Sequence, residues 1–417
     1  MSDIDKLVKS LPPETRKIFI SIWETLTPND RKSLASLLNG VPSNSNLLRT
    51  LIKLSSDELK QAFGQKRRVA IVGPANVGKS TLFNQLIQKK NDTAAVSPLP
   101  GTTRRNQLAD SGLFMVVDTP GADAVGVVGE IEREEALRAS RDADILIIVY
   151  DAIQGIKQTE LDLHLQLKSL NKPYLVVMNK VDLARKDAPR IIEKAAEHLG
   201  LKPEQIIPIV AKTGENLDEI ILEIAAIEPE IIAALGAALP EYRWKLAWKV
   251  ISGAASAAAV IALTPLPVLD FGPLIVTQSI MVLGIARIYN YKINLSRARE
   301  IAATFGLGFL GRSIFMELSK LGGVPGWVLA AAVASSTTVV MGYASSLWFE
   351  SSKKLTPETL KKMTETMTAY LVERLHDIAK GKPTSQTLKQ RVEQALEESA
   401  FINQPKQTRE QPEVKLE

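Results

Sequence analysis

The sequence predicts an α/β fold with a mostly parallel sheet over residues 67–235, flanked by an N-terminal helical region (1–66) and a C-terminal apolar α-helical domain (240–350). Three observations predict it. Short apolar runs alternate with helical patterns through the first span, the signature of a parallel sheet covered on both faces. A glycine-rich segment, GPANVGKS at residues 73–80, sits where an apolar run meets a helical one. After residue 240 charge becomes scarce: residues 250–285 hold only Asp270, and residues 321–349 hold none.

The N-terminal region carries helix starts at Ser10, Thr27 and Ser55, the first two followed at once or one residue later by proline. It shows no chemistry. In the α/β span the strand-like runs are 69–72, 113–117, 145–150, 174–178 and 206–210, with helical patterns at 158–170 and 190–199 between them. In such sheets ligands sit beyond the carboxyl ends of the strands, where the glycine-rich segment falls.

Residues 250–285 are long enough to cross a bilayer on paper. The Thr264–Pro267 stretch and Asp270 break them into pieces of roughly 14 and 16 residues, each covering roughly 20–25 Å. That is short of a hydrocarbon core, so a re-entrant hairpin or a buried soluble pair fits better than separate spans. Basic residues lie on both sides: Arg243, Lys245 and Lys249 before, Arg287, Lys292 and Arg297 after, which keeps both ends cytoplasmic. Residues 327–348 have the length of a span and a tryptophan at each end, yet residues 335–338 (SSTT) and many alanines suit a buried bundle helix equally. Residues 351–401 form an amphipathic segment. Thr356 caps it, Pro357 opens it, and Leu360, Met363, Met367, Leu371, Leu375 and Ile378 share one face, with a second helical pattern at 387–398. The polar tail 402–417 reads as disordered.

Composition narrows the chemistry. A net charge of +5 over 417 residues permits an anionic surface or nucleic acid as partner and argues for neither. There is no cysteine, which excludes disulfides, thiolate metal sites and cysteine nucleophiles and fits a reducing compartment. The three histidines (His164, His198, His376) are far apart, as surface or helix residues would be. The N-terminus shows no secretory signal.

The glycine-rich loop lets backbone N–H groups wrap a polyphosphate, with Lys79 reaching the β- and γ-phosphates and the Ser80 hydroxyl on Mg²⁺. The helix N-terminus adds its positive end. Asp118 closes the run 113–117 and opens DTPG, placed to hold Mg²⁺ through water, while the Gly121 N–H faces the γ-phosphate. NKVD at 179–182 closes the run 174–178. The Asp182 carboxylate accepts from the N1–H and exocyclic amine of guanine, a donor pair adenine lacks. Asn179 braces that site and the Lys180 stem lies along the base.

The ordered set GxxNVGKS, PGTTR (100–104), DTPG, NKVD and AKTG (211–214) resembles the Era, Der and TrmE type of P-loop GTPase over about residues 67–230. The resemblance implies GTP and GDP held by Gly73, Asn76, Val77, Gly78, Lys79, Ser80, Thr81, Asn179, Lys180, Asp182, Ala211 and Lys212. It implies Mg²⁺ on Ser80, Thr103 and Asp118, and a guanine O6 contact from the Ala211 N–H. The family usually has serine before that alanine, where this chain has Val210. The position of a water-orienting glutamine holds Ala122, which implies slow intrinsic turnover. Several relatives use K⁺ instead of an arginine finger, here on Asn76 and the carbonyls of residues 97–101. Glu130, or Glu132 in its place, matches the spacing of a water-orienting glutamate, though a solvated helix face looks the same. The catalytic set is thus Lys79, Thr103, Asn76, Gly121 and Glu130. After residue 240, PLPVLD at 265–270 and the apolar run 276–285 resemble the YcjF-type domain of unknown function.

The expected protein is a Mg²⁺-dependent GTP-binding and GTP-hydrolysing switch, peripheral or integral at the cytoplasmic face of a membrane. The alternatives are a ribosome-assembly or RNA-associated GTPase and a GTP-regulated scaffold with negligible turnover. Expected partners are a lipid membrane, a second copy paired through the GTPase domain and a protein effector of unstated kind, with RNA or the ribosome as the alternative. GFLG at 308–311 spells a KH loop but lacks the basic residues that clamp a nucleic-acid backbone.

Overall fold

The computed structural model describes residues 68–87, 113–118, 137–263, 272–306, 324–376 and 383–400, with scattered helical positions between 13 and 62. The helix starts at Ser10, Thr27 and Ser55, the 264–267 break, Asp270, Ile378, residues 308–311 and the tail 402–417 lie outside the described residues. The chain divides into two compact units, Gln65–Tyr242 and Met1–Gly64 with Arg243–Glu417. The segment after 351 thus falls in the same unit as the apolar helices before it.

The first unit is built on five parallel strands in the order β2-β1-β3-β4-β5. They are β1 (Val69–Gly73), β2 (Phe114–Asp118), β3 (Ile145–Asp151), β4 (Tyr174–Asn179) and β5 (Ile206–Pro208). Valine and isoleucine dominate β1, β3 and β4, and β1 and β3 are buried along their whole length, as strands covered on both faces must be. The helices are α1 (Lys79–Ile87), α2 (Gln158–Ser169), α3 (Ala188–Leu199), α4 (Leu217–Ile227) and α5 (Ile232–Ala238). On one face Val72, Val117, Ile148, Tyr150 and Met178 pack under Leu163 and Leu167 of α2 and Ala195, Ala196 and Leu199 of α3. α2 starts where the Glu160 carboxylate accepts from the Lys157 N–H at 2.9 Å. α3 ends at Gly200, whose φ of 65° supplies the left-handed stop.

Strand register decides what meets at the ligand edge. Gly73 pairs with Asp118, and Asp151 pairs with Asn179. The carboxyl ends of β2, β1, β3 and β4 therefore bring these four residues to one edge of the sheet. The last strand is shorter than the 206–210 run suggests, because Val210 leaves β5 for an antiparallel bridge with Glu215, closing the AKTG loop.

The second unit is helical: α6 (Arg243–Ala262), α7 (Gly272–Ile288), α8 (Leu295–Gly306), α9 (Gly326–Ser351), α10 (Pro357–His376) and α11 (Ser385–Glu397). α9 is its core helix and packs on α6, α7, α8 and α10. Four of its buried hydroxyls are satisfied inside the helix: Ser336, Thr337, Thr338 and Ser346 donate to carbonyls four residues back at 2.6–2.9 Å, whereas the buried Ser345 Oγ makes no hydrogen bond among the described residues. Ser335 donates across to Ala255 O of α6 at 2.8 Å. The stretch Pro240–Ala262, which includes α6, and α9 are long and apolar enough to cross a membrane, but 72% and 94% of their apolar windows are buried. Trp327 and Trp348 are half-buried at the two ends of α9. On α10, Thr356 Oγ1 caps the Thr359 N–H at 3.2 Å. Its buried face holds Leu360, Met367, Leu371 and Leu375, joined by Thr364 and Thr368, which bond to their own helix, while Met363 is half-buried.

Candidate functional site

The phosphate loop runs from the end of β1 to the start of α1, and two glycines in it are required by close approach. A Cβ on Gly73 would run into the Val149 carbonyl oxygen of β3. At Gly78 φ is +98°, and a Cβ would meet the Asn179 side-chain amide. Asn76 between them is also left-handed, at φ 63°. Val77 is buried, and Ser80 and Thr81 are half-buried in the first turn of α1. Lys79 is buried, and its Nζ donates to Pro74 O at 2.5 Å, so its charge lies within the curve of the loop. A loop that tolerates no Cβ at two points and carries a buried cation at a helix N-terminus fits a polyphosphate.

The base-side motif is tied to this loop by side chains. Asn179 is buried at the end of β4; its Nδ2 donates to Val77 O at 2.8 Å and its Oδ1 accepts from the Ala211 N–H at 2.9 Å. One amide thus spans three loops. Ala211, whose N–H was expected to face guanine O6, is buried, and in this structure that N–H donates to Asn179 Oδ1. The Lys212 side chain beside it is exposed. Lys180 follows in left-handed conformation, φ 64°, and its Nζ donates to Asn76 O at 2.7 Å. Asp182 is half-buried in the 3₁₀ turn Val181–Ala184.

Asp118 ends β2 opposite Gly73, and its side chain is outside the described residues. Thr103, Gly121, Ala122, Glu130, Glu132 and the carbonyls of 97–101 are likewise outside them.

Sequence reasoning missed Asp151. Its buried carboxylate pairs with Lys180 Nζ at 2.6 Å and accepts from the Ile153 N–H at 2.8 Å. The one available signal was an acidic residue at the carboxyl end of a strand beside the phosphate-loop strand. Behind the site, the Tyr150 hydroxyl lies 3.3 Å from His164 Nδ1. Burial, and then the Glu160 charge, pushes the Tyr150 hydroxyl well above the usual range. Burial, and then Lys168, holds His164 below the usual imidazole range. His164 is wholly buried on α2, a core residue rather than a surface one.

A parallel sheet with a glycine phosphate loop at its ligand edge and a guanine-type NKVD turn beside it defines a P-loop nucleotide-binding protein of the GTPase class. Residues 68–180 match the family of 50S ribosome-binding GTPases, and residues 230–376 match a domain of unknown function, DUF697. Two separate stretches of the chain thus resemble two families, a GTPase domain and a domain of unknown function. GTPase Era of Aquifex aeolicus (strain VF5) is 36% identical over 174 residues, covering 39% of this chain and 56% of that protein. GTPase Der of Syntrophobacter fumaroxidans (strain DSM 10017 / MPOB) is 36% identical over 168 residues, covering 39% of this chain and 36% of that protein. The chain thus spans about half the length of the first relative and about a third of the second. A crystal structure of an Aquifex aeolicus Era variant bound to GDP and AlF₄⁻ aligns at 29% identity and TM-score 0.34, covering 48% of this chain and 68% of that one.

Proposed function

We propose that this chain is a Mg²⁺-dependent, GTP-binding and GTP-hydrolysing switch. The observation that carries the reading is the Asn179 side chain, which ties the phosphate loop at Val77 to the AKTG loop at Ala211 and stands three residues before Asp182. Gly73 and residues 76–81 receive the polyphosphate, Lys79 offsets its charge, and Asp182 selects guanine. Ser80 and Asp118, with Thr103 in the GTP state, are the residues that would hold Mg²⁺; the ion supplies charge neutralisation when bound. GTP would order Thr103 and the DTPG segment with Gly121, and hydrolysis would release them.

Turnover is proposed to be slow, because Ala122 offers no hydrogen bond to water. Asn76 is proposed as a K⁺ ligand and Glu130 as the group that orients water. The test is binding and turnover of GTP against ATP, in K⁺ and in Na⁺. GTP selectivity with faster turnover in K⁺ is expected, and Asn76→Ala should remove the K⁺ effect. Equal turnover in the two salts overturns the potassium assignment, and equal affinity for ATP overturns the reading as a whole.

Membrane association at the cytoplasmic face belongs to the same reading. It is supported by the length and apolar composition of α6 and α9. Both are mostly buried, so insertion would require the helical unit to open, and without opening the contact would fall to the surface of that unit. Flotation with anionic liposomes that salt reverses is expected; resistance to salt would favour insertion, and no flotation would remove the membrane. The description of the matched family as 50S ribosome-binding supports the rival reading, and RNA crosslinking in cells separates the two.

A further inference from the structure

The NKVD lysine is held from two sides, and only one of its partners belongs to a nucleotide motif. Lys180 Nζ donates to Asn76 O at 2.7 Å and to Asp151 Oδ2 at 2.6 Å. Asp151 is 3% exposed and Lys180 33%. The carboxylate is itself fixed: its other oxygen accepts from the Ile153 N–H at 2.8 Å, and the Ala152 N–H donates to Asn179 O at 3.0 Å, so the ends of β3 and β4 are stitched together. Lys180 adopts a left-handed conformation that most non-glycine residues avoid, and it meets Asn76, whose side chain tolerates the same conformation. A lysine in this uncommon conformation, joined to Asn76 by one hydrogen bond, gains a second anchor in the buried Asp151 carboxylate.

We infer that Asp151 is a positioning residue for the nucleotide: it aims Lys180 across the end of β3 so that the lysine clamps the phosphate loop at Asn76. The ion pair cancels the lysine's charge locally, so Lys180 acts at the loop as an oriented donor rather than as a free cation. Guanine recognition and phosphate recognition are then coupled, because the residue after Asn179 is also the residue that sets the Asn76 turn. The inference rests on the guanine-nucleotide reading above and adds a residue outside its motifs.

The test uses the full chain and a fluorescent GDP analogue. Asp151→Asn keeps the shape and an acceptor for the Ile153 N–H but removes the charge that aims Lys180. It should weaken GDP binding about tenfold, mainly through faster dissociation. Asp151→Glu, which restores the charge, should recover part of that loss. Lys180→Gln should weaken binding alone, and adding Asp151→Asn to it should change nothing further. A merely structural Asp151 would give additive losses and no rescue by glutamate. Wild-type affinity in Asp151→Asn, or additive losses in the double variant, overturns the inference alone. A wild-type chain that binds no guanine nucleotide overturns both readings.

Discussion

At the scale of single residues, the site depends on contacts that exclude side-chain atoms as much as on contacts that supply them. Gly78 combines φ +98° with an Asn179 amide where its Cβ would be. Gly78→Ala therefore meets two obstacles, a backbone strain of about 1–3 kcal/mol and displacement of the side chain that joins three loops. It should lower the melting temperature of the unit and weaken GDP binding more than tenfold, read by calorimetric titration; a variant that binds normally would show that the loop re-forms around the methyl. His164 offers a different lever. It is buried and neutral, with its pKa held below 6.5, first by burial and then by Lys168. The unfolded chain takes up its proton as pH falls through about 6.5, before the folded chain does. Stability is therefore full above that pH and declines below it, until the folded-state pKa is passed. The urea midpoint of the wild type should fall between pH 7.5 and 5.5, and His164→Phe should flatten that slope.

At the scale of elements, what was legible in the sequence follows from what each pattern demands. β1, β3 and β4 were readable because a strand buried on both faces needs an unbroken apolar run, and few other structures tolerate one. The phosphate loop was readable because glycine spacing is dictated by backbone geometry. Asp151 was not, since a carboxylate at a strand end looks like any loop acid until Lys180 arrives from a segment 29 residues away. The Ala211–Asn179 bond was hidden for a related reason: only the fold reveals that the Asn179 side chain reaches the Ala211 N–H. α9 shows a third limit. Length and hydropathy cannot separate a bilayer span from the core of a helical unit, because both remove the same side chains from water. Packing separates them. A Cβ on Gly342 would meet Ile251 Cγ1 of α6 at 2.5 Å, and a β-branched neighbour cannot swing aside. Gly342→Ala should cost the helical unit about 1–3 kcal/mol from overpacking, partly offset by about 1 kcal/mol of helix propensity. The same substitution made on top of Ile251→Ala should cost nothing more, as a double-mutant cycle in urea would show. Equal costs in the two backgrounds would mean that α6 and α9 do not pack as described.

At the scale of the whole molecule, each of the two units has hydrophobic clusters of its own among the described residues. The sheet of Gln65–Tyr242 buries its own cluster under α2 and α3, while α9 anchors smaller clusters with α10, Leu329 and Val333 with Val372 in one and Val340 and Ala344 with Leu360 in the other. Residues proposed to touch nucleotide all belong to the first unit. A ligand stabilises only the structure that must unfold to release it, by about 2.7 kcal/mol at a hundred times its Kd. Scanning calorimetry of the full chain should therefore show two transitions, and GDP with Mg²⁺ should raise one of them while the other stays in place. Gly78→Ala should lower the same transition and abolish its response to GDP, and Gly342→Ala should lower only the other. If GDP instead raised a single joint transition, the two cores would melt as one cooperative body. Nucleotide free energy would then reach the helical unit directly, as a switch acting through that unit requires. If GDP raised only its own transition, the message would have to travel by segments that the nucleotide orders, such as residues 100–104 and 118–121. Repeating the scan with a non-hydrolysable GTP analogue distinguishes these routes: a second transition that moves with the analogue but not with GDP means that only the GTP state speaks to the helical unit.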